Sequence, residues 1–302
     1  MTWRDGVHLT GTPIWCDARR RRDVCFVSSA DRVVRAGHGQ LIGTPTTIAM
    51  IAGRDVGHLA VPVRKPFTLG TLRLELIPSG RTLGAAALHV DTGMRTVLYA
   101  GAIRTTHATD GAEVRASDAV VVSAPVGEEH HKLAALDEVA DALIAWVRAR
   151  LAAGTWAVVV VDTALDGLEV GARLAAASLT VTGSKSLRDA AAVVGDSAPA
   201  IRAPGKEPAL VIRAEADRLK LPTTVPPPAA LVSARAVDPQ PGWDATFAWP
   251  FVANREQLLA WIEQARAKHV FVTGACAETI AAAVGARAHV LGPPQQMALF
   301  SS

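Results

Sequence analysis

The sequence predicts an α/β protein, because short β-rich runs fill its first third and strands then alternate with alanine-rich helices almost to the end. Its 302 residues, 50% of them hydrophobic, can bury a sizeable core in one large domain or two ordinary ones. No run approaches the roughly 20 uninterrupted apolar residues that span a bilayer. Met1-Thr2-Trp3-Arg4-Asp5 also lacks the charged-then-apolar order of a signal peptide. A soluble, cytoplasmic protein with no membrane partner is therefore expected.

Each element follows from local pattern. Val24 to Ser28, Leu72 to Ile77, Ala86 to Val90, Thr96 to Ala100 and Ala119 to Ser123 are β-rich and separated by Gly, Pro, Asp and Thr turns, which reads as a sheet with short connections. From Leu133 the period changes. Leu133, Leu136, Val139, Ala140, Leu143, Ile144 and Val147 form one stripe of an amphipathic helix that ends at Gly154. Val158 to Val161 then reads as a strand buried on both faces. Strands and helices alternate through Leu210 to Ile212, so residues 128–228 form an α/β unit of their own, closed by Pro222, Pro226, Pro227 and Pro228 as a stiff connection. After it come a strand (Ala230 to Ala234), a helix (Arg255 to Ala267), a strand (His269 to Thr273), a helix (Ala277 to Val284) and a strand (Ala288 to Leu291). Pro293-Pro294 then detaches the tail, residues 292–302.

Composition narrows the function classes. Cys16, Cys25 and Cys276 are scattered and odd in number, with no Cys-x-x-Cys pair, which argues against a disulfide framework and against a thiolate metal site. They read as small buried apolar residues. A net charge of +3 and a pI of 9.0 are compatible with a nucleic-acid partner, yet 31 basic against 28 acidic residues do not demand one. Aromatic content of 5% leaves few platforms for stacking bases.

The order of motifs carries a family resemblance. Trp15-Cys16-Asp17-Ala18-Arg19-Arg20-Arg21-Arg22-Asp23 leads into Val27-Ser28-Ser29-Ala30-Asp31-Arg32-Val33, then into Gly37-His38-Gly39 and Thr44-Pro45. This resembles the metallo-β-lactamase/β-CASP exonucleases, kin to mRNA 3′-end processing nucleases and to the exonuclease linked to ATP-dependent DNA ligases. There a strand ending in Ile-Asp-Pro-Trp-Arg-Pro-Val-Asp leads into Thr-His-x-His-x-Asp-His, then Gly-His-Gly and Thr-Pro. The resemblance covers most of the chain, more loosely in the α/β unit. It implies an αββα metallo-β-lactamase-like sandwich (1–127 and 229–291) interrupted by a β-CASP-like α/β insertion (128–228).

Nuclease chemistry in that family needs two divalent ions held by imidazoles and carboxylates. Aligned on Gly37-His38-Gly39, the ligand positions here are Ser28, Ala30, Arg32 and Val33. The family's Gly-His-x-Leu-Gly-Ser-Ala appears as Gly80-Arg81-Thr82-Leu83-Gly84-Ala85-Ala86, and its Ser-Gly-Asp turn as Ala100-Gly101-Ala102. Glu-Ser-Thr becomes Ser123-Ala124-Pro125, Ser-Asp-His becomes Pro250-Phe251-Val252, and the final Thr-His-Gly reads Thr273-Gly274-Ala275. No charge is left to hold a divalent ion against its own hydration. The resemblance thus implies a pseudoenzyme with no metal and no cofactor, in bacterial DNA repair or nucleic-acid processing.

Other residues carry alternatives. Glu128-Glu129-His130-His131 reads either as the acidic N-terminus of the Leu133 helix or as a replacement metal site, the centre of a relocated hydrolase or nuclease. Asp162 reads as a strand-end acid or a turn residue, and His38 and His107 as isolated loop or core histidines. Arg19, Arg20, Arg21 and Arg22, joined by Arg32 and Arg81, would form a phosphate-binding surface for DNA or RNA, or else a solvated face. Gln296-Met297-Ala298-Leu299-Phe300 resembles the bacterial sliding-clamp-binding peptide, with Gln296, Met297, Leu299 and Phe300 as its anchors; the alternative is a tail docked on its own core. The expected partners are thus a sliding clamp, DNA-repair proteins or an active nuclease paralogue.

Overall fold

The computed structural model describes residues 1–31, 37–51, 58–106 and 111–293. Its first sheet has six strands in the order β1 (Thr2–Trp3), β2 (Val7–His8), β3 (Ile14–Cys16), β4 (Val24–Phe26), β5 (Gln40–Gly43) and β6 (His58–Ala60), with helix α1 (Pro45–Ile51) between the last two in sequence. Strands β1 to β3 are antiparallel and β3 to β6 parallel. Next come β7 (Pro66–Leu69), β8 (Leu72–Pro78), β9 (Ala86–Asp91), β10 (Thr96–Ala102) and β11 (Ala119–Ser123).

The α/β unit follows: α2 (Leu136–Ala152), β12 (Ala157–Val161), α3 (Ala164–Ala176), β13 (Val181–Gly183), α4 (Lys185–Val194), β14 (Leu210–Ala214), β15 (Ala229–Ser233) and β16 (Ala245–Ala248). The chain then adds α5 (Arg255–Gln264), β17 (His269–Thr273), α6 (Ala277–Val284) and β18 (Ala288–Val290). The second sheet runs β18-β17-β11-β10-β9-β8-β7, so strands from before and after the unit lie side by side, with β11 parallel to β17. A third sheet, β13-β14-β12-β15-β16, is parallel throughout.

Side-chain alternation explains the layers. Ile14, Phe26 and Ile42 of the first sheet meet Leu74, Leu76, Leu88 and Val90 of the second in one apolar cluster. The opposite face of the first sheet packs Cys25, Val27 and Leu41 on Ile48 of α1. The opposite face of the second packs Leu98, Val120, Val122 and Val272 on Leu258, Trp261 and Ile262 of α5 and Ile280 of α6. The layers thus run helix, sheet, sheet, helix. Each of those buried side chains is worth about 1.5–3 kcal/mol of transfer free energy. Asn254 and Gln257 start α5 with a reciprocal capping box, at 2.9 and 3.1 Å.

Two expectations are corrected. The strand after the prolines does not return to the sandwich: β15 pairs with β12 and β16 with β15, so the α/β unit keeps the chain to Ala248 instead of releasing it at 228. The helix expected from Leu133 begins at Leu136 behind an extended Ala135, which leaves Glu128 to His131 in a loop rather than on a helical face. Its far end behaves as expected, since Gly154 takes a left-handed φ of +69°. The two- and three-residue strands β1, β2, β3 and β6 were beneath the window that periodicity needs. No helix among the described residues is long and apolar enough to cross a membrane.

Candidate functional site

The seam between the two-sheet sandwich and the α/β unit is built on α3. Thr163 caps that helix, accepting the Asp166 N–H at 3.2 Å and donating its hydroxyl to Asp166 Oδ2 at 2.8 Å. Asp166 is thereby fixed, pointing at the sandwich. Arg81, on the loop after β8, answers with a two-pronged contact: Nη1 to Oδ1 at 2.7 Å and Nη2 to Oδ2 at 3.2 Å. Asp31 adds a second carboxylate 3.3 Å from Nη2, and the guanidinium lies 5.5 Å from the centre of the Phe251 ring.

Only 11% of the Arg81 side chain is exposed, 13% of Asp31 and none of Asp166. Burial pushes the Asp166 carboxyl above its ordinary value, and the Arg81 charge opposes that push. For Arg81 itself burial acts downward, but Asp166 and Asp31 outweigh it and hold the guanidinium firmly protonated. The fork geometry keeps the group an ion pair.

One turn along α3, Glu169 takes a second arginine. Arg104, 2% exposed, donates to Glu169 Oε2 at 2.7 Å, and buried Trp249 donates its indole N–H to Oε1 at 2.8 Å. Positions 166 and 169 share a helical face, so one helix grips two arginines of the sandwich.

Of the positions that the resemblance aligns with metal ligands, Ala30 and Phe251 lie at this seam. Ala30 packs on Leu165, Leu168 and Ala190. Ala102 packs with Val126 and Val252, and Phe251 and Val252 are both buried. Ser28 donates its hydroxyl to Asp17 at 2.6 Å and its N–H at 2.8 Å, while Tyr99 reaches the same carboxylate at 2.8 Å. Gly274 has φ +99°, and a Cβ there would lie 2.8 Å from the Ala124 carbonyl oxygen. No side chain fits at that position without moving backbone. Arg32 and Val33 lie outside the described residues, as do His107 and the clamp-like anchors Gln296, Met297, Leu299 and Phe300.

The proposed arginine surface is corrected at one member. Arg81 faces inward and is spent on Asp166 and Asp31, so it does not join Arg19 to Arg22. Arg19, Arg20 and Arg21 are exposed, with Arg20 paired to Asp5 at 2.8 Å. Arg22 stacks on Trp15 at 3.8 Å and donates to the Arg4 carbonyl at 2.8 Å. His38 is buried and accepts the Arg22 N–H at 3.1 Å, a structural role. Asp162 likewise accepts the Ser233 hydroxyl at 2.5 Å and lies 3.2 Å from Arg235.

A second contact across the seam joins the loop after β11 to the α/β unit. His130 and His131 reach Asp238, at 3.0 and 3.2 Å, and the ligand atoms of the three lie within 4.8 Å of one another. Among the described residues no other three-residue set of potential metal ligands does so. Yet Nδ1 of His131 accepts the N–H groups of Gly127 and Glu128 at 3.2 and 3.3 Å. A neutral imidazole has one bare nitrogen, so Nε2 carries the proton and donates to Asp238. A metal at Nε2 needs that position bare, so the trio is a hydrogen-bonded clasp. Sequence reasoning missed Asp238, 107 residues from His131, and with it the partner that orients the ring.

These layers and sheets define a mixed α/β protein. Among solved structures the fold is similar to that of a protein of unknown function from Enterococcus faecalis V583, with a TM-score of 0.56 and 10% sequence identity over 82% of this chain and 74% of that one. At that identity the likeness concerns fold alone. No family model and no curated protein matches the chain.

Proposed function

We propose that this chain is a non-catalytic relative of the metallo-β-lactamase/β-CASP nucleases, acting as a scaffold in bacterial DNA repair or nucleic-acid processing. The observation that carries the reading is Arg81: at a position where the resemblance expects a ligand histidine, a guanidinium lies between Asp31 and Asp166. Positive charge from the protein's own chain thus neutralises the carboxylates, and a divalent ion beside it would be repelled. The helix-sheet-sheet-helix order, with an α/β unit between β11 and β17, supports the αββα assignment.

In this reading the partners are recruited by surface features. Gln296, Met297, Leu299 and Phe300 engage a sliding clamp, and exposed Arg19, Arg20 and Arg21 contact DNA or RNA phosphates. An active nuclease paralogue is the protein partner whose chemistry such a subunit would complement. The test is incubation of purified protein with single- and double-stranded DNA and RNA, with added manganese or zinc. No hydrolysis, together with binding that weakens steeply with salt, is expected. Cleavage abolished by a chelator overturns the reading.

A further inference from the structure

The two faces of the third sheet are covered unequally. Val159 and Val161 of β12 and Leu210 and Ile212 of β14 pack under α2, α3 and α4 in one cluster. Strand alternation sends Val158, Val160 and Val211 to the opposite face, where Trp156, Trp243, Leu219 and Leu221 meet them. No helix contributes to that second cluster. The chain returns from β14 to β15 across β12 in residues 215–228, with neither helix nor strand among them. A parallel sheet ordinarily carries helices on both faces, and an extended crossover is thinner than a helix. The shortfall is a cavity of about 480 Å³, within the roughly 300–1,000 Å³ of small-molecule sites.

The lining is of two kinds. Val158, Leu219, Leu221 and Val225 are aliphatic, and Val225 is 70% exposed, an apolar side chain left to solvent. Arg213 and Arg218 supply the charge. Arg213 points to the same face as Val211, two residues before it, so a guanidinium rises from an otherwise apolar strand face. It donates to the Asp217 carbonyl at 2.9 Å, and neither arginine forms an ion pair among the described residues. The carboxylates on the same connection are engaged elsewhere. Asp217, which also borders the cavity, accepts the hydroxyls of Ser184 and Ser186, the latter at 2.6 Å, and Glu215 pairs with Arg235.

We propose that this cavity binds a small aliphatic monocarboxylate, a medium-chain fatty acid, with its chain against Val158, Leu219, Leu221 and Val225 and its carboxylate on Arg213 and Arg218. Two guanidiniums without carboxylate partners select an anion, and a guanidinium grips a carboxylate with two parallel hydrogen bonds. The lining contains no aromatic ring, so a nucleobase finds no stacking partner there, whereas an alkyl chain removes Val225 and its neighbours from water. Pro222, Pro226, Pro227 and Pro228 stiffen the connection, so the cavity stands ready before a ligand arrives.

The site belongs to the α/β unit alone, and its test is separate from nuclease activity and nucleic-acid binding. The full chain is titrated calorimetrically with hexanoate, octanoate and decanoate, each below its micelle concentration. One decanoate per chain is expected, with affinity rising about tenfold for each two added carbons, as burial of two methylenes gives. Decanol should bind at least about tenfold more weakly, because it lacks the charge that the arginines meet. Arg218 is exposed and makes no hydrogen bond or ion pair among the described residues, so changing it does not threaten folding. Arg218→Met should weaken decanoate about tenfold and leave decanol where it is, whereas Val225→Asp should weaken both. No binding, several decanoates per chain, decanol as tight as decanoate, or equal decanoate affinity in wild type and Arg218→Met would overturn the proposal.

Discussion

Two contacts join the sandwich to the α/β unit, and they differ in kind. At α3, Arg81 and Arg104 meet Asp166 and Glu169 with water largely excluded. At the 3-10 turn after β15, His130 and His131 meet Asp238 at the surface, where both His130 and Asp238 are open to solvent. A charge stripped of water depends on its partner for all its solvation, whereas an exposed one has water in reserve. The first contact therefore fixes how the two parts sit, and the second adds less to that hold.

The largest effect expected from breaking that contrast is at Arg81. Arg81→Met leaves Asp166 buried without its cation and should cost about 3–5 kcal/mol in denaturant unfolding. Arg81→Met combined with Asp166→Leu should recover most of the loss, because both charges are then gone. Arg104→Met should cost less, about 1.5–3 kcal/mol, since Glu169 keeps the Trp249 N–H and some solvent. Asp238→Asn should leave the melting temperature where it is, which sharpens the comparison from the exposed side.

The smallest effect is a pH dependence away from the seam. Asp118 accepts from the Thr96 N–H and hydroxyl and from Lys268, and the Thr96 N–H first of all holds its carboxyl down at about 2. A depressed carboxylate stabilises the fold above its ordinary pKa, and that contribution is lost as pH falls toward about 2. Asp118→Asn should flatten the acid limb of the stability curve by lowering stability at neutral pH, while leaving it little changed near pH 2.

Long or strongly periodic elements could be read directly from the chain: Ala119–Ser123, His269–Thr273 and Ala277–Val284 stand where their residues imply. The sheet that collects β15 could not be, because the prolines before it mark a stiff connection equally well inside a domain as between two. The seam was half legible. Motif order pointed to Ser28, Arg81, Ala102, Phe251 and Gly274, but Asp166 looks like any acid three residues past a Thr cap, and its partner lies 85 residues away.

In the proposed reading a guanidinium, and not a metal, neutralises Asp31 and Asp166 between the sandwich and the α/β unit. Elemental analysis of protein purified without chelators, then incubated with zinc or manganese and desalted, tests it most directly. Far less than one metal ion per chain is expected, in wild type and in Asp238→Asn alike. One or more tightly held ions per chain, lost on substitution of Asp31 or Asp166, would contradict it.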